Sequence, residues 1–221
     1  MPPERPHPCG RFARILRAEL IVMGGFPQPK SRYGWHSRGY LPHFDGSELA
    51  QFITFRLYDS LPAAVLEGWR NELKHQPSGE VESIMRRRVE AYLDQGHGSC
   101  HLKSPALATL VQNALLYHDQ TKYRLAAWVV MPNHVHLLCT PCADYSLAQV
   151  MHSLKSFTSS EANRILDRTG RFWQKEYFDR YIRNARHYAK VVSYIESNPV
   201  KAKLCEKPED WPFSSAGFRK K

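Results

Sequence analysis

Two histidines on one predicted strand are the residues of this chain best suited to bind a metal ion. The segment 128–138 (WVVMPNHVHLL) predicts two strands joined by a short turn, with His134 and His136 flanking a valine in the second strand. Because side chains alternate between the faces of a strand, both imidazoles lie on one face, and Val135 and Leu137 lie on the other. The pair can converge on one divalent cation, although a His-x-His pair by itself is more often an ordinary core or surface feature.

A second set of chemical groups follows about sixty residues later, on the last predicted helix. Arg186, Lys190, Tyr194 and Asn198 are spaced four residues apart and therefore form one stripe on the helix surface. A solvated helix face would more often carry Glu and Lys than a phenol and an amide. If this helix packs beside the hairpin, the stripe and the histidine pair form one site.

These groups together suit the chemistry of a phosphodiester. A divalent ion held by two neutral imidazoles and the amide oxygen of Asn198 keeps its positive charge and open coordination positions. The phenol of Tyr194, with an ordinary pKa of about 10, becomes a nucleophile when the ion and Lys190 stabilise its phenolate. Attack on phosphorus gives a covalent phosphotyrosine and a free hydroxyl, which permits strand transfer without ATP.

The composition favours a nucleic-acid partner. The 221 residues carry a formal net charge of +10, and 43% of them are hydrophobic. Such a charge attracts polyanions, with nucleic acid a stronger expectation than an anionic membrane surface. No apolar window reaches about 18 residues and no signal peptide is apparent, so we expect a cytoplasmic protein without a membrane association. The five cysteines are expected to be free thiols, since Cys139-x-x-Cys142 lacks a second pair to complete a zinc site.

The hydrophobic periods predict an α+β fold with a β-α-β-β-α-β antiparallel sheet and helices packed on one face. Residues 1–30 are expected to be an N-terminal extension, and residues 31–218 a single domain with a helical insertion near 76–103. The last helix is predicted to stop at Asn198, because the residue before a proline avoids the helical region. The predicted elements are strand 51–58, helix 62–75, helix 104–119, strands 123–131 and 134–140, helix 146–166, a strand within 172–182 and helix 185–197.

Basic and aromatic residues before and within the last helix predict a DNA-contacting surface. Residues 168–190 contain seven Lys or Arg and two acidic residues, interleaved with aromatic side chains. Cationic groups beside aromatic faces suit single-stranded or hairpin nucleic acid. An irregular arm at 31–45 shows the same mixture, and packing of that arm on the core is an equal alternative. The predicted contact residues are Lys190, Arg186, Arg183, Arg180, Trp173 and Arg38.

Five segments resemble, in order and spacing, motifs of the REP-associated tyrosine transposases, a single-tyrosine group of the HUH (His-hydrophobe-His) endonucleases. The resemblance extends over roughly residues 32–218. The segments are 127–136 (AWVVMPNHVH), 171–174 (RFWQ), 179–183 (DRYIR), 194–200 (YIESNPV) and 211–215 (WPFSS).

This resemblance implies a ferredoxin-like HUH endonuclease palm and a metal-dependent single-stranded DNA endonuclease and strand-transferase that forms a 5'-phosphotyrosine. It implies Mg²⁺ or Mn²⁺ as cofactor, His134 and His136 as metal ligands, and Tyr194 as nucleophile. Asn198 occupies a position where related insertion-sequence enzymes often have glutamine as third ligand. The implied partners are single-stranded DNA hairpins of palindromic repeats (REP elements), bound by a nucleoid-associated monomer or homodimer.

Two other functions fit the same residues. A non-catalytic hairpin-binding protein would keep the basic surface without turnover, and a hydrolase using an activated water would cut DNA without forming a protein adduct. Tyr177, Tyr181 and Tyr188 are the nearest alternatives to Tyr194 as nucleophile. Most of the eleven tyrosines are expected to serve packing or stacking.

Overall fold

The computed structural model describes residues 35–37, 42–44 and 48–219. The predicted extension at 1–30 and the predicted contact Arg38 lie outside these residues. Within the described ranges, no helix has the length and apolar character that crossing a bilayer requires. In chain order the elements are β1 (Trp35–Ser37), β2 (Pro42–Phe44), β3 (Gln51–Arg56), α1 (Ala63–Leu73), α2 (Ser78–Asp94), α3 (Pro105–Tyr117), β4 (Tyr123–Val130), β5 (His134–Pro141), α4 (Leu147–Ile165), β6 (Phe178–Tyr181), α5 (Ala185–Lys201) and α6 (Ser215–Arg219).

The central sheet has the strand order β4-β5-β3-β6, and each neighbouring pair is antiparallel. This is the order of a β-α-β-β-α-β unit in which α3 and α4 are the two connecting helices. A short turn joins β4 to β5, where the Met131 amide donates to the His134 carbonyl at 2.8 Å. The predicted fold class is confirmed. The separate hairpin of β1 and β2 lies against β6.

The sheet is covered on both of its faces, whereas the sequence predicted helices on one. On the first side, which we call the core face, Ile53, Phe55, Val135 and Leu137 pack with apolar residues of α3 and α4. On the second side, which we call the site face, Phe52, Val129 and Leu138 pack with Val191 and Ile195 of α5. Helix α5 covers the second face because β4 and β5 are apolar on both sides and α5 has its own apolar stripe.

Helices α1 and α2 both lie between β3 and α3 in the chain. Only Leu73 is buried in α1, so the predicted first helix contributes little to the core. The connecting helix is α3, whose buried residues include Leu107, Val111 and Leu115. An ion pair between Arg88 and Glu72 joins α1 to α2. That residues near 76–103 form an insertion into the domain stays a prediction.

The prediction that the last helix stops before Pro199 is wrong, because α5 continues to Lys201 with the proline inside it. An interior proline removes one backbone hydrogen bond and costs about 3 kcal/mol. Here it lies in the last turns, and both Asn198 and Pro199 are fully or nearly fully buried. Packing of this face therefore holds the helix, and the Ala202 amide still donates to the Asn198 carbonyl at 2.9 Å.

The segment 211–215 (WPFSS) binds along the outer edge of β4. The Val130 amide donates to the Phe213 carbonyl at 2.8 Å, and the Trp211 indole donates to the Val130 carbonyl at 3.0 Å. Ser215 donates to Glu196 of α5 at 2.7 Å. This segment therefore covers an edge that would otherwise present unpaired backbone groups, and it attaches α5 to the sheet.

Candidate active site

Strand β5 places the two histidines together on the site face, as the strand alternation predicted. His134 and His136 are each 1% exposed, and their Nε2 atoms lie 3.1 Å apart. Val135 and Leu137 belong to the core face instead. Two ring nitrogens at this separation present their lone pairs or protons toward one point.

Asn133 fixes which nitrogen of His134 carries the proton. Its amide nitrogen donates to the carbonyls of Leu93 and His97, at 3.2 and 2.9 Å, so its oxygen faces His134. That oxygen lies 2.7 Å from His134 Nδ1 and can only accept, which assigns the proton to Nδ1. Nε2 of His134 therefore keeps a lone pair for a cation or a proton.

His136 is held by residues of the neighbouring strand β3. Its Nδ1 atom lies 2.7 Å from the hydroxyl of Thr54. The ring of Phe52 stacks on its imidazole with centroids 5.5 Å apart. These contacts orient the ring from outside, so that Nε2 points into the site.

Burial disfavours the charged form of both histidines. Burial, followed by the charge of Lys201, lowers the pKa of His134 to about 3. Burial, His134 and Lys201 hold the pKa of His136 well below its ordinary value. Neutral imidazoles are the form that binds metal ions.

Tyr194 meets the histidine pair from α5. Its ring centroid lies 5.4 Å from that of His136 and 5.8 Å from that of Phe52, in edge-to-face geometry with both. Burial raises the pKa of the Tyr194 phenol, and the carboxylates of Glu90 and Asp94 raise it further. The adjacent Asn198 favours the phenolate, although the two side chains do not form a hydrogen bond of ordinary geometry.

Unpaired polar atoms gather around the tyrosine. Within residues 48–219, buried side-chain atoms without a hydrogen-bond partner include the hydroxyl of Tyr194, Oδ1 of Asp94 and both amide atoms of Asn198. Asn198 is 0% exposed. Native proteins pair most of their buried polar groups, so each exception calls for a reason such as a bound ion or a catalytic role. A cluster of them beside two converging imidazoles indicates a ligand site.

The predicted helix stripe extends from the surface into this site. Arg186 and Lys190 are exposed, and Arg183 is exposed beyond them, whereas Tyr194 is partly buried and Asn198 fully so. The lysine beside the phenol is Lys201, whose Nζ lies 5.8 Å from the centre of the Tyr194 ring. Sequence reasoning missed Lys201 because it ended the helix at residue 197, although Lys201 lies seven residues after Tyr194 on the same helix face.

Two acidic residues of α2 were also missed. Asp94 pairs with Lys201 at 2.8 Å, and burial raises the pKa of Glu90. Glu90 and Asp94 follow Arg86 at four-residue steps, a spacing visible in the sequence. Nothing in the sequence shows that Asp94 of α2 lies beside Lys201 of α5.

The remaining predicted contacts are dispersed. Trp173 is 5% exposed, packs on Phe55 and donates its indole N–H to Thr158 at 2.8 Å, so it is a core residue and presents no stacking surface. Arg180 lies partly buried on β6. Among the alternative tyrosines, Tyr188 packs with the apolar cluster of the site face. Tyr177 lies near Lys155 and packs against the core-face cluster.

The groups at this site that could bind a metal ion are two imidazoles and an amide. Among the described residues, no group of three His, Cys, Asp or Glu side chains has the geometry to hold a metal ion. A third protein donor at the histidine pair would therefore be an amide such as Asn198. Cys139 is buried on the core face, away from the histidines.

Comparisons with known proteins find similar sequences and structures. Residues 106–198 match the family model described as Transposase IS200 like. The REP-associated tyrosine transposase of Escherichia coli (strain K12) is 33% identical over 95 residues, which cover 42% of this chain and 54% of that protein. The chain therefore spans about half the length of this relative.

A solved structure described as a REP-associated tyrosine transposase bound to a REP hairpin also aligns with this chain. The TM-score is 0.47 and the identity is 19%, over 81% of each chain. The resemblance recognised in the sequence motifs is confirmed by the family and sequence matches. Residues 106–198, the part of the chain that is similar to the Transposase IS200 like family, include His134, His136, Tyr194 and Asn198.

Proposed function

We propose that this chain is a metal-dependent single-stranded DNA endonuclease and strand-transferase that uses Tyr194 as its nucleophile. The observation that carries the proposal is the position of Tyr194, whose ring lies 5.4 Å from His136 and whose buried hydroxyl has no partner in the described structure. A tyrosine serving only the core would normally pair its hydroxyl when buried, as Tyr123 does with the Leu115 carbonyl at 2.6 Å.

The donor set fits Mg²⁺ or Mn²⁺ held by His134, His136 and Asn198. The two Nε2 atoms, which lie 3.1 Å apart, are close enough that both would bind one divalent ion. The unpaired amide of Asn198 supplies an oxygen without adding negative charge. A bound divalent ion would polarise the phosphodiester and favour the phenolate.

The reaction requires no external energy source. The Tyr194 oxygen forms a bond to phosphorus while the bond from phosphorus to the 3' oxygen of the preceding nucleotide breaks. The phenolic proton is transferred overall to that oxygen, leaving a 3' hydroxyl and a 5'-phosphotyrosine. Because one phosphodiester replaces another, attack by a different 3' hydroxyl reverses the step and joins a new strand.

The proposed substrate is a single-stranded DNA hairpin of the palindromic repeat (REP) class. The similar Escherichia coli protein carries REP association in its name. The net charge of +10 and the exposed Arg183, Arg186 and Lys190 on the approach to Tyr194 suit a phosphate backbone. A protein with this substrate would act at the nucleoid in the cytoplasm, as a monomer or homodimer.

A covalent-adduct assay tests the proposal. We expect wild-type protein with Mg²⁺ or Mn²⁺ to cut a labelled REP hairpin that carries single-stranded flanks. The protein is then expected to carry the label on denaturing gels, as a covalent adduct. Chelator is expected to abolish both signals, and Tyr194→Phe to abolish the adduct. Tyr188→Phe is the matched control, since Tyr188 lies on the same helix within the apolar cluster. Cleavage by Tyr194→Phe at the wild-type rate would contradict the assignment.

The two alternative functions give different results in the same assay. Hairpin binding without cleavage in either metal would indicate a non-catalytic binding protein. Cut products without a protein adduct, formed equally by Tyr194→Phe, would indicate hydrolysis by water.

A further inference from the structure

Lys201 lies where α5 meets α2. Its Nζ is 2.8 Å from Oδ2 of Asp94 and 5.8 Å from the centre of the Tyr194 ring. Tyr194, Asn198 and Lys201 occupy positions i, i+4 and i+7 of α5, so they share one face of the helix. The ammonium group is therefore presented beside the tyrosine and the unpaired amide.

The charge of Lys201 acts on the whole histidine pair. After burial, Lys201 contributes to the lowered pKa of both His134 and His136. Lys190, which the sequence suggested for this role, is exposed one helical turn before Tyr194. Lys201 is thus the lysine placed to contact an anion held between the histidines and Tyr194.

The Lys201 ammonium group can exchange Asp94 for another anion as its partner. The Lys201 side chain is 55% exposed, and ion pairs open to solvent contribute little stability. The Asp94 side chain is 12% exposed, and its second oxygen is buried without a partner in the described structure. The carboxylate therefore holds the ammonium at the mouth of the site, where an arriving phosphate can take over the contact.

We propose that Lys201 binds the scissile phosphodiester and that Asp94 holds its ammonium group in position before substrate arrives. This inference rests on the proposed function and adds a substrate-binding residue to it. The ammonium donates a hydrogen bond to a non-bridging phosphate oxygen, where negative charge must be stabilised during attack. Lys201 remains protonated throughout, and no bond to it forms or breaks.

Three variants separate this role from a structural ion pair. We expect Lys201→Met to slow single-turnover adduct formation at saturating hairpin by about tenfold or more, as loss of a charged hydrogen bond predicts. Lys201→Arg is expected to recover most of the rate. Asp94→Asn, which keeps the ammonium but releases it from its carboxylate, is expected to slow the step by a smaller factor than Lys201→Met does. Melting temperatures of all three variants identify any loss of folded protein.

A purely structural ion pair predicts a different pattern. Lys201→Met and Asp94→Asn would then lower the melting temperature and the rate by equal amounts, because each breaks the same pair. Either this parallel loss or an unchanged rate in Lys201→Met would overturn the inference. If wild-type protein forms no adduct at all, the proposed function fails first, and the two failures are thereby distinguished.

Discussion

The two faces of the central sheet are built from the same strands but differ in how their polar groups are paired. On the core face, the buried indole of Trp173 donates a hydrogen bond to the hydroxyl of Thr158 at 2.8 Å. On the site face, Tyr194 and Asn198 hold buried polar atoms without partners in the described structure. Alternation along β5 assigns Val135 to the first face and His134 to the second. One strand therefore supports stability on one side and chemistry on the other.

The difference indicates where unpaired polar groups lower the stability of the protein. An unpaired buried amide or hydroxyl destabilises a protein by about 1–3 kcal/mol. The site face carries such groups next to the converging histidines. We therefore predict that substitutions on the core face lower stability without changing activity. Substitutions on the site face are predicted to lower activity without lowering stability.

The largest effect is expected on the core face. Leu115→Ala in α3 removes a side chain that is 0% exposed, and the resulting cavity is expected to lower the free energy of unfolding by about 2–5 kcal/mol. Adduct formation per folded molecule is expected to stay at the wild-type rate, because α3 lies across the sheet from Tyr194. Chemical denaturation and the adduct assay measure the two quantities.

Tyr117→Ala on the same helix is the matched control, since that side chain is 72% exposed. It is expected to change stability by about 0.5 kcal/mol or less. If the adduct rate of Leu115→Ala falls in proportion to its stability, then stability and activity do not depend on separate faces of the sheet.

The opposite result is expected on the site face. Asn198→Leu removes an unpaired buried amide at similar volume, so the free energy of unfolding is expected to rise by about 1–3 kcal/mol. Adduct formation is expected to be lost with the proposed amide ligand. Asn113→Leu, at an exposed position of α3, controls for the higher helix propensity of leucine.

Destabilisation by Asn198→Leu would contradict the expectation that the buried amide lacks a partner in the folded protein. Retained adduct formation would remove Asn198 from the metal ligands.

The sequence predicted the parts of the site that depend on local periodicity. Alternation placed His134 and His136 on one strand face, and four-residue steps placed Tyr194 and Asn198 on one helix face. Both inferences need only the geometry of a single element. The same reasoning predicted the β-α-β-β-α-β succession of elements along the chain, in which α3 and α4 are the two connecting helices.

The parts that failed depend on contacts between distant segments. The stop predicted at Pro199 rested on a local rule, which burial of Asn198 and Pro199 overrides. Lys201 was thereby lost from the predicted site, and Asp94 was missed because nothing local indicates that it lies beside Lys201. Trp173 looks like a base-stacking residue in a basic segment, but pairing of that segment beside β3 turns it into the core.

The smallest expected effect concerns Lys155 of α4. Its ammonium group donates to the carbonyls of Gln174 and Lys175, both at 2.7 Å. Burial lowers its pKa from 10.5 to about 8, although Glu176 opposes the shift. A neutral amine keeps two N–H donors, which is the number needed for these two carbonyls.

Between pH 8 and 10.5 the unfolded chain therefore binds more protons at Lys155 than the folded chain. The contribution of this residue to the free energy of unfolding is expected to rise with pH across that window, by an amount on the order of 1 kcal/mol. The difference in stability between wild type and Lys155→Met, measured by urea denaturation at pH 7.5 and 10, isolates this contribution from other titrating groups. A difference that is constant or falls with pH would mean that folding does not lower the pKa of Lys155, and that its two carbonyl partners accommodate the charged ammonium group at least as well as water does.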